Sequence, residues 1–300
     1  MTEPTRAQAR VLEALQNRSV AVVGLLTQAQ TFDGLAPQEW LVTYHHQAVA
    51  CADLAAAARA GGVPRVWIEQ VQARGENGVP WDPKAALIHP GPTDWDRILT
   101  DLTTDVARIQ EWEALDAAYH QLEHPTGETA SAGLRTKIDA VRMRTAGVTN
   151  ILGLTSELSV ELWGDVSDWA HYAAATLDDV PGEQIVHRWH AATETDTRAY
   201  AGQATALATD AAIPVDTAAA LPTTADLRAA INTELGSVQA QFVSAGTTIG
   251  SAVEAAISPP ADVPTEVMFS APSEPDRPWT GTVEHAEAAP VFSNVDGAGW

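Results

Sequence analysis

The sequence predicts an all-α fold: a multi-helix bundle of about eight helices followed by a disordered, acidic, Pro-rich C-terminal tail. Three observations predict it. Ala, the best helix former, is the dominant residue. Apolar residues recur at three- and four-residue steps through most of the chain. The alternating Val, Ile, Tyr and Phe runs of half-buried strands are missing. With 300 residues, 45% of them hydrophobic, there is enough apolar material for a sizeable core. Few aromatic residues, of which 10 are Trp, suit closely approaching helices with indoles filling the wider gaps.

Residues 1–74 read as an N-terminal helical hairpin plus a short helix. Val11, Leu12, Leu15, Val22, Leu25 and Leu26 form the first stripe, and TFDGLAP ends that helix. The second carries Trp40, Tyr44, Ala48, Cys51, Leu54 and Ala58, with Pro37 in its first turn and Gly61-Gly62 at its end. A short helix follows from Pro64 to about Ala73. Residues 75–94 are a turn-rich linker loop.

Residues 95–212 read as a central helical bundle. Asp94 or Thr93 caps a strong amphipathic helix whose stripe runs from Trp95 through Ile109 and Trp112 to Leu122. Leu134, Ile138 and Val141 mark the next helix, and Thr155 and Asp165 or Ser167 open two shorter ones. Pro181 starts one helix with Ile185, Trp189, Ala192, Tyr200, Ala204 and Leu207 on one side. A long C-terminal helix over 224–257 carries the near-heptad seam Ile231, Leu235, Val238, Phe242 and Ile249. Residues 258–300 lack periodicity and form the expected tail.

The formal charge of -22 argues against general affinity for nucleic acid or anionic membranes. It is uneven: residues 1–150 hold 13 basic against 18 acidic residues, residues 151–300 only 4 against 21. A single cysteine excludes an internal disulfide and a Cys-based metal site. No apolar stretch reaches membrane-span length, and no signal-peptide pattern is complete, so a cytoplasmic protein is expected.

Several local patterns carry chemistry. Residues 54–74 resemble the helix-turn-helix of DNA-binding proteins, with Ala58, Gly62, Val63, Ile68 and Val71 at that family's small, turn and apolar positions. The resemblance implies that Arg65, Gln70 and Arg74 contact DNA. His120-x-x-Glu123-His124 matches the pattern of inverted zinc peptidases, but Pro125 draws His124 out of the helix and no third ligand is definable. His187 and His190, with Glu183 and Glu194, share a helix without the Glu-x-x-His pattern of a di-iron bundle. Tyr119-x-x-x-Glu123 fits the short signal of type VII secretion substrates, although no W-x-G turn accompanies it. Arg135, Lys137, Arg142 and Arg144 form the one local basic cluster, for which pairing with the chain's own acids is expected.

Nucleotide-loop and serine-hydrolase signatures are absent from the sequence. The expectation is therefore a non-enzymatic acidic helical scaffold or protein–protein interaction protein, with no cofactor and no metal. Its partner is another protein or a second copy, engaged through the 231–252 seam. The alternative is a helix-turn-helix DNA-binding protein acting through residues 54–74.

Overall fold

Nine helices follow one another without an intervening strand in a computed structural model, which describes residues 3–122, 128–217 and 219–237. They are α1 (Arg6–Ala29), α2 (Gln38–Ala60), α3 (Arg65–Glu76), α4 (Trp95–Gln121), α5 (Glu128–Leu152), α6 (Ser156–Trp163), α7 (Val166–Ala175), α8 (Gly182–Glu194) and α9 (Arg198–Thr209). A further helical run covers 224–237, where the described residues end. The all-α expectation holds for the described residues. The expected tail and most of the 231–252 seam lie outside them.

Local chemistry fixes the starts. Thr5 and Gln8 form a reciprocal capping box on α1. Asp94 accepts the Arg97 N–H at 3.2 Å and caps α4. Thr155 caps α6, and Asp165 and Asp168 form a second capping box on α7.

The single helix expected from Pro181 to Leu207 is two helices. Thr195 adopts an extended backbone after α8, and Asp196 accepts the Arg198 N–H at 2.9 Å while pairing with the Arg198 guanidinium. A short acidic side chain has bonded local backbone and so competed with the helix ladder. The break redirects the chain: α8 packs on α4, whereas α9 packs on α2 and α5.

Two cores result. In the first, Val11, Leu12 and Leu15 of α1 meet Leu54 and Ala58 of α2 and Trp67, Ile68 and Val71 of α3. Ile151 of α5, Leu207 of α9 and Ile213 close it. The N-terminal hairpin and short helix thus share their core with residues far along the chain. In the second, Ile109, Leu115 and Tyr119 of α4 pack with Leu134, Ile138 and Val141 of α5, Trp169 of α7 and Trp189 of α8. Leu227 and Ile231 complete it. A small cluster of Ile98, Leu102 and Val148 joins α4 to α5.

The α1–α3 contact is close enough to require glycine. A Cβ on Gly75 would sit 2.4 Å from Ser19 Cβ and 2.6 Å from the Gln16 carbonyl oxygen, and backbone cannot step aside cheaply. Gly75→Ala should therefore cost about 1–3 kcal/mol by overpacking, outweighing the gain of up to about 1 kcal/mol from removing a helical glycine. A lowered urea midpoint with unchanged helical content checks this. The α2–α3 corner is similarly constrained: Gly62 has φ +70°, and its Cβ would meet Leu152 at 2.9 Å.

Candidate interaction surface

The α1–α2 hairpin serves two purposes along its length. Its base, with Val11 to Ser19 and Leu54 to Ala58, belongs to the first core. Beyond the base, no residue from 20 to 53 is buried. This distal stretch contains two charge-free runs, 19–32 and 40–52.

The two helices hold each other by one face of α2. Trp40 Nε1 donates to the Leu25 carbonyl at 3.1 Å, and its ring stacks on Tyr44 with centroids 5.2 Å apart. Phe32 meets Trp40 edge-on at 5.8 Å. Nearer the base, Ser19 Oγ and Cys51 Sγ lie 3.6 Å apart, so Cys51 is a half-buried packing residue. The stripe of Trp40, Tyr44, Ala48 and Cys51 thus faces α1.

A second apolar stripe of α2 faces outward. Leu41, Val42 and Val49 are 49%, 62% and 42% exposed, and with His45 and His46 they line one shallow groove. Leu26 on α1 and Leu35 at the connection are also exposed. An α-helix that is apolar around its circumference is ordinarily covered on all sides. Distal α2 is uncharged and carries apolar residues on two faces, with Thr43, His45, His46 and Gln47 between them, and only one of those faces is covered. The sequence signal was present in the uncharged 40–52 run, but a single-stripe reading of α2 passed over Leu41, Val42 and Val49.

The residues expected to contact DNA lie elsewhere, on α3. Arg65 is exposed and pairs with Glu69 at 2.6 Å. Gln70 donates to the Ala86 carbonyl at 3.0 Å and accepts the Ile88 N–H at 2.8 Å. Arg74 donates to the same Ala86 carbonyl at 3.0 Å, and Trp67 Nε1 to the Ile88 carbonyl at 2.6 Å. The 77–94 connection therefore lies along α3 and engages two of the three side chains. Of the expected seam, Ile231 is fully buried and Leu235 half-buried against the second core. Val238, Phe242 and Ile249 lie outside the described residues.

Two arginines of the basic cluster reach buried acids. Arg144 pairs with Asp105, and Arg135 lies 3.2 Å from Asp116, both acids buried on α4. Arg228 donates to buried Glu113 at 2.7 Å, and Lys137 donates to the Thr195 carbonyl. Burial raises the Asp105 carboxyl above its ordinary range, opposed by the Arg144 charge and the Tyr200 hydroxyl bond. Burial likewise raises Glu113 against the Arg228 bond and charge, and lowers Arg142 against the Glu113 and Asp139 charges. These charges tie α4 to α5, α9 and the 224–237 run.

Among the described residues, the two sequence-predicted histidine patterns build no shared site. His120 lies 3.6 Å from Asp116 and 3.3 Å from Arg135, while His124 is outside the described residues. His190 sits edge-on to Trp189 at 5.1 Å. Among the described residues, no group of three or more His, Cys, Asp or Glu side chains could hold a metal. Nor is any helix there long and apolar enough to cross a membrane. Comparison with protein-family models, curated proteins and solved structures finds no match to this chain.

Proposed function

We propose that this chain is a non-enzymatic helical interaction protein whose docking element is the distal α1–α2 hairpin. One observation carries the reading: residues 20–53 contribute no buried residue to either core, only half-buried Cys51 packing against the first, yet they expose Leu26, Leu35, Leu41, Val42 and Val49 on a largely uncharged surface. Exposed apolar patches of this kind mark partner surfaces more often than idle ones. The body beneath is a two-core bundle whose buried acids Asp105, Glu113 and Asp116 are each paired with an arginine, which suits a scaffold. The engagement of Gln70 and Arg74 by residues 86–88 favours a protein partner over duplex DNA. A cytoplasmic setting accords with the single cysteine.

The test is Nile red fluorescence at protein concentrations too dilute for association. Full-length protein should enhance it, and Leu41→Ser, Val42→Ser and Val49→Ser together should remove most of that enhancement. Circular dichroism and the melting temperature should stay unchanged, because these side chains support no core. Undiminished probe binding, or loss of the fold, overturns the proposal.

A further inference from the structure

Resting on that reading, we infer that the hairpin's partner is a second copy of this chain, joined hairpin to hairpin in a closed dimer. The chemistry of the surface selects the occupant. Between residues 40 and 52 there is no Asp, Glu, Lys or Arg, so the outward stripe offers no charge to recognise a basic or acidic partner. The acids of the distal stretch lie at its ends, with Glu39 bordering Val42 in an adjoining groove. Asp33 lies at the connection, Glu39 in the first turn of α2, and Asp53 at the base, where its carboxylate approaches Gly202 of α9. A surface that fits must itself be helical, apolar and uncharged.

The hairpin itself meets those conditions. Two such hairpins packed face to face make a four-helix arrangement, the ordinary way of covering apolar helix stripes. The 40–52 run is about 20 Å long, and a face two helices wide is of similar breadth. That gives a face of roughly 400 Å², about half the ~800 Å² each partner contributes to a standard interface and in keeping with a weak, reversible dimer. The pairing is self-complementary, so Leu41, Val42 and Val49 of one copy meet the same stripe of the other and the assembly closes at two. Leu158, Val160 and Leu162 of α6 are also exposed, and a pairing of α6 with the hairpin would give rings, open chains or a reciprocal dimer, each sensitive to changes on α6.

A membrane surface is the main rival occupant. The distal hairpin carries no Lys or Arg to meet lipid headgroups, and the chain's net charge is -22. Those facts favour the protein occupant.

Sedimentation velocity of the full chain over a concentration series is the experiment, with flotation on phosphatidylcholine vesicles beside it. A reversible monomer–dimer equilibrium in the micromolar range is expected. Leu41→Glu with Val49→Glu should weaken it about a hundredfold or more, since each buried, unpaired charge occurs twice in the interface. Leu158→Glu with Val160→Glu on α6 should leave it unchanged. Species larger than dimer, a dimer that survives the hairpin substitutions, or one lost on changing α6 overturns the inference. A strict monomer that still binds Nile red through the hairpin overturns self-association while leaving the interaction reading intact. A monomer that floats with vesicles assigns the hairpin to membranes instead, and a monomer without hairpin-dependent probe binding removes both readings.

Discussion

Trp189→Ala should destabilise the protein by about 3–5 kcal/mol, the range for removing a fully buried large aromatic side chain. Trp189 is 0% exposed, and its ring lies parallel to Tyr119 with centroids 3.9 Å apart. It is the main anchor of α8, which carries only Ile185 and Ala192 as further buried residues. Truncation removes the stacked contact and leaves a cavity that α4, packed on α5 and α7 as well, cannot collapse to fill. Its Nε1 lies 3.5 Å from Asp116 Oδ1, at the outer limit of a hydrogen bond, so packing and not polarity should dominate the loss. Trp189→Phe separates the two: it keeps an aromatic face against Tyr119 and should cost less than half as much. Denaturant unfolding followed by near-ultraviolet circular dichroism reads both values. A loss below about 1 kcal/mol for the Ala variant would show that α8 does not depend on this ring.

Trp189 also marks how far sequence reasoning reaches. Its place on an apolar stripe with Ile185 and Ala192 was legible, because periodicity specifies which residues share a face. Its partner Tyr119 was on another legible stripe, but spacing says nothing about which stripes meet. The continuation of α8 into α9 was misread for a different reason. Tyr200, Ala204 and Leu207 keep the apolar spacing across Thr195–Thr197, and only the Asp196 side chain bonding to the Arg198 backbone reveals the break. The starts at Asp94, Thr155 and Asp165 were readable because each cap is a local side-chain event. The pairing of Arg135 and Arg144 with the chain's own acids was anticipated from charge balance, but not which acids, since both lie on α4, another helix. The candidate surface was least legible. A residue such as Leu41 looks alike whether it faces a core or solvent, and only the path of the other helices distinguishes the two.

The second large effect concerns the acid that joins α4 to α5 and α9. Asp105→Ala should cost about 3–5 kcal/mol, because it strands a neighbouring charge in a poorly solvated place. Asp105 is buried, pairs with Arg144, accepts the Tyr200 hydroxyl at 3.0 Å and lies 3.6 Å from Arg108. Without it Arg144 keeps only Gln203, at 3.2 Å, as a hydrogen-bonding partner. Asp105→Asn removes the same countercharge but keeps one acceptor oxygen and adds no cavity, so it should cost less than the Ala variant. The direction of the carboxyl's shift supports this ordering: burial makes ionised Asp105 costlier in the fold than in the open chain. The pH consequence follows from the same sign. A carboxyl whose folded pKa is raised contributes stability that is fully present below its unfolded value and lost as pH rises through the folded value. Asp105 and Glu113 both shift upward, so the melting temperature should rise as pH falls from neutrality toward the pI of about 4.5. Relief of self-repulsion acts in the same direction. Exposed Asp196 works oppositely: its hydrogen bonds to Arg198 hold it at about 2, so its contribution disappears only as pH falls below 3.8 toward that value. Stability should therefore peak on the acid side of neutrality and fall again in stronger acid. Asp105→Asn should flatten the rise and leave the acid-side fall in place, and a melting temperature that declines steadily from pH 7 downward would contradict the upward shifts.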